Sequence, residues 1–227
     1  MSGRTQTDCP ILRLCSAAAK LRAKGVSLAS IAINIVIAIG SVGAWLSIML
    51  GTGDDRQLAL HGWRSLKYYT VLSNLFSGAV SAAYVLCLLA GTPPTPVLLT
   101  LKLAAASVAM VTFLVTAVLL VPVYGAKSMY QGGNFWLHLV LPLLAAIDVC
   151  LLAPIETLPL WSTLAPVAFT ALYAVGYLRP LLKYGAERDG QVYDFYGFLR
   201  WGKERIWLVA AAMLLLTWIL ALALYLI

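Results

Sequence analysis

The chain has 227 residues, of which 62% are hydrophobic and 11% are charged, and its formal net charge is +7. A mean hydropathy of +0.89 is more apolar than a water-soluble domain, so the composition excludes a soluble globular protein and indicates a membrane protein. The basic residues flank apolar runs, so we attribute the positive charge to contact with anionic lipid headgroups and not to nucleic-acid binding.

Six apolar runs meet or approach the roughly 20 residues that a helix needs to cross a bilayer core about 30 Å thick. They cover residues 28–50, 68–90, 97–122, 135–153, 158–178 and 206–227. The runs are continuous and do not alternate in polarity, which disfavours a transmembrane β-barrel. The sequence therefore predicts an all-α polytopic membrane protein, a six-transmembrane-helix bundle in one domain at 28–227 that follows a basic N-terminal leader at 1–27.

Long and short loops alternate along the chain. The loops at 51–67, 123–134 and 179–205 hold most of the remaining charge, and six spans place all three on one side, which we call the long-loop face. The loops at 91–96 and 154–157 are short and lie on the opposite, short-loop face. Lys102 is expected to extend toward the short-loop face. The distribution of Lys and Arg does not decide which face is cytoplasmic.

The second run carries a polar stripe. Its members recur every three or four residues on one side of a helix: Thr70, Ser73, Asn74, Ser77, Ser81 and Tyr84. Such a stripe is expected to face other helices or a cavity, and for Ser77 and Ser81 we favour close helix packing. Thr70 has two interpretations, as a functional hydroxyl or as the N-terminal cap of its helix.

The fourth run brings a histidine into the membrane from the long-loop face. His138 follows Asn134 by about one turn, and its depth matches that of Thr70. An ionisable residue at membrane depth is costly and is therefore a functional candidate, although a buried histidine is also a common packing residue. Asp148 lies about 15 Å further along the same helix, too far for a third catalytic member, and we interpret it as an internal polar anchor.

A hydroxyl beside an imidazole can perform acyl transfer. His138 would take the Thr70 proton as the oxygen attacks an ester carbonyl and would then return it to the leaving alcohol. Asn74 and Asn134 are candidate donors to the developing oxyanion. The segment at 191–199 is aromatic within a charged loop; it either lines a mouth, with Tyr193 or Asp194 directed inward, or lies along the membrane interface. The predicted substrate-binding residues are Asn74, Asn134, Ser73, Tyr193, Asp194 and Tyr69.

Three segments also resemble landmarks of a known family. "YYTVLSN", "FWLHLVLPLLAAID" and "VYDFYGFL" are similar, in order and spacing, to motifs of the androgen-induced membrane protein and androgen-dependent TFPI-regulating protein superfamily, which includes bacterial six-span relatives. The resemblance implies a threonine-dependent intramembrane hydrolase of long-chain esters, such as fatty acid esters of hydroxy fatty acids. It matches Thr70 to the family nucleophile and His138 to the family histidine.

Other classes of function stay open at this point. A related acyltransferase would pass the acyl group to another alcohol, and a lipid-binding or transport protein would use the polar stripe to line a cavity. The sequence predicts no cofactor and no metal, because metal-ligand spacing is absent. The expected partners are the bilayer and a lipid or fatty acyl ester. The predicted location is an integral, multi-pass position in a membrane, the cell membrane if the protein is bacterial.

Overall fold

The structure is a computed structural model that describes the backbone of residues 10–51 and 62–227, and the side chains of residues 28–51 and 62–227. Part of the basic leader therefore lies outside the described residues. From residue 10 onward the leader is helical and continuous with the first span, since α1 covers Pro10–Leu50.

The prediction of a six-helix membrane bundle is confirmed. Helices long and apolar enough to cross a membrane cover Leu28–Leu50, Tyr69–Leu89, Pro96–Tyr124, Gly133–Leu151, Leu160–Tyr184 and Lys203–Leu226. The main helices within them are α2 (Tyr69–Leu89), α3 (Pro96–Val115), α7 (Leu141–Leu151), α8 (Ala165–Tyr184) and α9 (Ile206–Leu226). Short helices α4 (Val121–Tyr124), α5 (Ala126–Met129) and α6 (Gly133–Phe135) lie between α3 and α7. The fifth span is longer than predicted and ends at Tyr184.

Two spans contain a π-helical turn, at Thr116–Leu120 and at Trp136–Val140. Each turn ends two residues before a proline, Pro122 in the first case and Pro142 in the second. A proline lacks the N–H that would bond four residues back and its ring crowds that carbonyl, so the helix widens locally. π-turns occur often at functional sites, and the second of these turns carries His138.

The bundle is organised around α3. This helix packs against α2, α7, α8 and α9, while α1 packs against α2 and α7 and α8 packs against α9. Most of the middle of α3 is buried, from Leu103 to Ala109 and again at Val111 and Thr112. Helix α2 approaches α1 closely, because a Cβ built on Gly78 would lie 2.9 Å from the Cβ of Ser41. The middle of α3 is therefore enclosed by the other helices of the bundle.

A charged pair lies inside the bundle, toward the short-loop face. Lys102 is only 4% exposed and forms an ion pair with Asp148, which is fully buried. The prediction that Lys102 extends to the membrane surface is wrong, because the carboxylate on α7 offers it a partner within the protein. The Lys102 ammonium also donates to Asn34 Oδ1 at 2.6 Å, and Ser30 donates to Asp148 Oδ1 at 2.8 Å. Asp148 is thus the internal anchor that its position suggested.

The segment between α8 and α9 folds back over the end of the bundle. It begins with a two-stranded hairpin, β1 (Glu187–Arg188) and β2 (Gln191–Val192), in antiparallel pairing. Asp189 and Gly190 form the tip, both with positive φ, as a tight hairpin requires. The remainder, residues 193–201, is only partly exposed except at Arg200 and Trp201, and it packs on the starts of α2 and α9.

Candidate functional site

The candidate site is built around the first turn of α2, which begins at the long-loop face. The helix starts at Tyr69 and its N-cap is Tyr68, so the interpretation of Thr70 as the cap is wrong. Tyr68 makes no capping hydrogen bond through its side chain. The N–H of Tyr69 instead donates to the hydroxyl of Tyr196, 2.7 Å away, so the loop between α8 and α9 supplies the acceptor that the helix start needs.

Aromatic rings from this loop cover the start of α2. Phe195 and Tyr196 pack edge-on against Tyr68, with ring centroids 5.2 and 6.0 Å apart. The Tyr173 hydroxyl of α8 donates to the carbonyl of Lys67 at 2.7 Å and lies 3.3 Å from the Tyr196 hydroxyl. Burial raises the pKa of Tyr196, so its phenol stays protonated at neutral pH. The phenol that covers the start of α2 is therefore uncharged.

Thr70 lines a cavity of about 130 Å³ between α2, α3, α8 and α9, which we call the hydroxyl cavity. Its walls are largely apolar, with Val111, Val115 and Met213 among the residues that form them. Eight residues bring hydroxyl groups from the helices and the covering loop: Tyr69, Thr70, Thr112, Thr116, Thr170, Tyr173, Tyr177 and Tyr196. Arg200 and Trp201 close the outer end, with the guanidinium 5.0 Å from the centre of the indole ring.

Asn74 joins the start of α2 to the π-turn that contains His138. Its amide nitrogen donates to the carbonyl of Thr70 at 2.8 Å and to the carbonyl of Leu137 at 3.0 Å. Two carbonyl acceptors fix the orientation of the amide, so the nitrogen and not the oxygen faces them. Asn74 is fully buried, and its Oδ1 has no hydrogen-bond partner among the described residues. The predicted role of Asn74 as an oxyanion donor would require one of these two bonds to break.

His138 is buried within the π-turn, with 6% of its surface exposed. Its Nδ1 lies 3.1 Å from the carbonyl oxygen of Met129. Because a carbonyl can only accept, this bond requires a hydrogen on Nδ1, and in the neutral ring the lone pair is then on Nε2. The loop before the fourth span thus selects the tautomer whose Nε2 can serve as a base.

Thr70 and His138 lie on neighbouring elements at the same level of the bundle. Ser73 points toward α3, where its hydroxyl is 3.1 Å from that of Thr112, and Asn74 points toward Leu137. At about 100° per residue, Thr70 lies between these two directions on the helix surface and faces the seam between α3 and the π-turn. Within the described residues no hydrogen bond joins the Thr70 hydroxyl to His138, and His138 is not among those that line the hydroxyl cavity.

Of the other predicted binding residues, Tyr69 and Ser73 lie at the hydroxyl cavity and Asn134 lies away from it. The Tyr69 hydroxyl lines the cavity and is 2.9 Å from the Thr170 hydroxyl, while Ser73 bonds to Thr112. Asn134 is buried in α6, and its backbone N–H donates to the carbonyl of Gln131 at 3.1 Å. Asn134 therefore helps to form the turn before the π-helical segment.

Tyr193 and Asp194 have different positions in the covering loop. The Asp194 carboxylate accepts three hydrogen bonds of 2.8–2.9 Å, from the Tyr177 hydroxyl and from the N–H groups of Phe198 and Leu199. It fastens the loop to α8. Tyr193 lines a separate groove of about 550 Å³ on the outer side of Tyr173 and Tyr177, with the Lys67 ammonium 5.9 Å from its ring centre.

Two features of the site were not identified from the sequence. Thr112 and Thr116 are four residues apart in the third span, so they present hydroxyls on one side of α3, a spacing that is visible in the sequence. The hydroxyl of Tyr196 that accepts from α2 belongs to a loop more than 100 residues away, and no local pattern indicates such a contact.

Comparison of the chain with protein-family models, with curated proteins and with solved structures finds no match.

Proposed function

We propose that this protein is an intramembrane hydrolase of long-chain fatty acyl esters, with Thr70 as nucleophile and His138 as general base. The observation that carries the proposal is the position of Thr70. Its hydroxyl has no hydrogen-bond partner among the described residues, and it lines an apolar cavity inside a membrane bundle, beside the element that carries a histidine of fixed tautomer. The resemblance of the three sequence segments to a family of threonine-dependent hydrolases supports the same assignment.

The chemistry follows from these two groups. As Thr70 Oγ1 bonds to the ester carbonyl carbon, its proton passes to His138 Nε2 and the carbonyl electron pair moves onto oxygen. When the tetrahedral intermediate collapses, the bond to the alcohol oxygen breaks and His138 returns the proton to it. Water then attacks the acyl-threonine by the same route, which releases the fatty acid. A second alcohol in place of water would give the related acyltransferase.

The size of the hydroxyl cavity limits how a substrate would be held. Pockets for complete small ligands measure roughly 300–1,000 Å³, whereas this cavity has about 130 Å³. The cavity has room for an ester group and the carbons next to it. The rest of a long acyl chain would extend between the helices toward the bilayer, which is the reason to propose a lipid substrate and not a soluble one.

The direct test is turnover of a long-chain ester library by the purified protein in lipid nanodiscs. We expect Thr70→Ala and His138→Ala to abolish turnover and Thr70→Ser to retain part of it. Thr112→Ser is the matched control, because it alters a threonine of the same cavity and keeps the hydroxyl. A fluorophosphonate probe should label the wild-type protein at Thr70, as located by peptide mass spectrometry. Full turnover in Thr70→Ala and in His138→Ala would remove both residues from the mechanism.

A second candidate function is lipid binding without chemistry. The observation that favours it is that Thr70 and His138 share neither a hydrogen bond nor, among the described residues, the lining of the hydroxyl cavity. In that case the protein would bind acyl chains in nanodiscs with no turnover and no labelling of Thr70. Binding would then weaken when Val115 or Met213 is replaced by a larger residue that fills the cavity.

A further inference from the structure

We propose that Thr116 is the residue that stabilises the oxyanion, by donating a hydrogen bond from its hydroxyl to the ester carbonyl oxygen while Thr70 attacks. This inference rests on the proposed hydrolase function and adds to it a catalytic residue on α3. It starts from the requirement that a carbonyl attacked in an apolar cavity needs a donor aimed at the oxygen on which charge develops.

The packing of α2 against α3 places Thr116 opposite Thr70. The two helices are antiparallel neighbours, joined by the short loop at 90–95, and the hydroxyls of Ser73 and Thr112 are 3.1 Å apart. One turn from this contact toward the long-loop face leads to Thr70 on α2 and to Thr116 on α3. Both residues line the hydroxyl cavity. The two threonines therefore face one small volume from adjacent helices.

The other hydroxyls in this cavity already have partners. Tyr69 and Thr170 bond to each other, and Thr170 also lies 3.1 Å from the hydroxyl of Thr217. Thr112 is bonded to Ser73, and the Tyr196 hydroxyl accepts the N–H of Tyr69 and lies 3.3 Å from the Tyr173 hydroxyl.

Two tyrosines of the wall and the nearby Asn74 amide also have partners. The hydroxyls of Tyr173 and Tyr177 donate to the Lys67 carbonyl and to Asp194. Both hydrogens of the Asn74 amide are used in bonds to backbone carbonyls. Thr116, like Thr70, makes no side-chain hydrogen bond within the described residues, so its hydroxyl is free to donate to a ligand that reaches Thr70. Arg200 and Trp201 also line the cavity and carry N–H donors, but they belong to the covering loop and not to the helix next to Thr70.

The backbone around Thr116 supports a functional role. Thr116 is the first residue of the π-turn that precedes Pro122, and it is 1% exposed. A π-turn widens the helix and changes the direction of its side chains relative to a regular α-helix, so the position of Thr116 depends on a feature that helix stability alone would not favour. The low exposure keeps bulk water away from the hydroxyl, which strengthens its hydrogen bond to a developing charge.

The test compares Thr116→Val, which keeps the shape and removes the hydroxyl, with Thr116→Ser, which keeps the hydroxyl. We expect Thr116→Val to lower kcat roughly 10²- to 10³-fold with little change in KM, and Thr116→Ser to stay within several-fold of the wild type. Thr112→Val is the matched control, because it makes the same substitution one turn away on the same helix face. It should lower kcat far less than Thr116→Val.

Inhibition by a long-chain trifluoromethyl ketone separates this role from a structural one. The adduct of Thr70 with the ketone carries the same oxyanion, so Thr116→Val should weaken inhibition by about the factor lost from kcat/KM. An ether of the same chain length has no carbonyl, and its binding should not change. Unchanged kcat and unchanged ketone inhibition in Thr116→Val, in a protein that hydrolyses esters, would overturn the role of Thr116 alone. A wild-type protein without turnover would overturn the proposed function and this assignment together.

Discussion

At the scale of single residues, the buried pair of Lys102 and Asp148 poses the sharpest energetic problem. A charge inside a membrane bundle loses its hydration, and the attraction between the two groups offsets this cost only if both stay paired. Neighbours supply further contacts: Asn34 and Ser30 form hydrogen bonds, and the Tyr84 ring centre lies 4.4 Å from the Lys102 ammonium. The pair thus links α1, α2, α3 and α7 at one point.

This arrangement predicts that the protein is stable only when both charges are present or both are absent. Lys102→Met leaves an unpaired carboxylate and Asp148→Asn leaves an unpaired ammonium, and either change should destabilise the protein by about 3–5 kcal/mol. The double variant removes both charges and should recover most of the loss. The measurement is the melting temperature in nanodiscs, with Lys127→Met, at an exposed lysine, as the control. If the double variant were no more stable than the less stable of the two single variants, the two residues would not act as a pair.

The positions of single residues were predictable where a pattern is local and not where a contact is distant. The polar stripe on α2 follows from helical periodicity, and Ser77 and Ser81 are buried as helix packing requires. The predicted position of the Lys102 side chain is wrong because the sequence around Lys102 does not indicate its partner. Asp148 lies 46 positions later, in another span. The functional roles of Thr70 and His138 stay predictions, since a fold alone does not establish chemistry.

At the scale of elements, the start of α2 depends on a loop that is remote in sequence. Four N–H groups at the start of a helix lack intrahelical acceptors, and here the Tyr196 hydroxyl serves the first of them. The loop itself is held to α8 through Asp194. The first turn of α2, including Thr70, is therefore fixed from three directions: by α3, by the π-turn through Asn74, and by this loop.

Removal of the Tyr196 hydroxyl should loosen that first turn. We expect Tyr196→Phe to lower stability by about 1 kcal/mol, the usual cost of losing a helix cap or a hydrogen bond. Hydrogen exchange should become faster at the amides of residues 69–72. Tyr225→Phe is the matched control, because it removes a tyrosine bond of 2.8 Å to the Leu158 carbonyl elsewhere in the bundle. If both variants affect residues 69–72 equally, the Tyr196 hydroxyl has no specific role at the helix start.

The extent of the elements was easier to predict than their internal geometry. Hydropathy located all six spans to within a few residues at most ends, because a bilayer demands long apolar helices. The fifth span extends to Tyr184 since Arg179 and Lys183 are exposed on its last turns and do not end the helix. The two π-turns were not predicted, although Pro122 and Pro142 mark them, because a proline in a helix can also produce a kink or an end.

At the scale of the whole molecule, the alternation of long and short loops gives the bundle two different ends. Contacts around the start of α2 bring together Lys67, Met129 and the loop at 193–201, which come from the three long-loop regions. The Lys102 pair lies nearer the other end, which has only short connections. One end of the bundle therefore carries the proposed site, and the opposite end carries the buried anchor.

The two-ended arrangement predicts the labelling pattern of single cysteines in sealed membrane vesicles. With the four native cysteines replaced by alanine, Lys127→Cys and Asp189→Cys should react with an impermeant maleimide from one side, because two spans separate them. Thr92→Cys and Glu156→Cys, both at exposed positions in short loops, should react from the opposite side. The same experiment determines which side is cytoplasmic. The sequence leaves this open, because the positive charges of the leader and those of the loops favour opposite orientations. Reaction of positions 127 and 189 from different sides would require an odd number of crossings between them, and then the proposed site could not form at one end of the bundle.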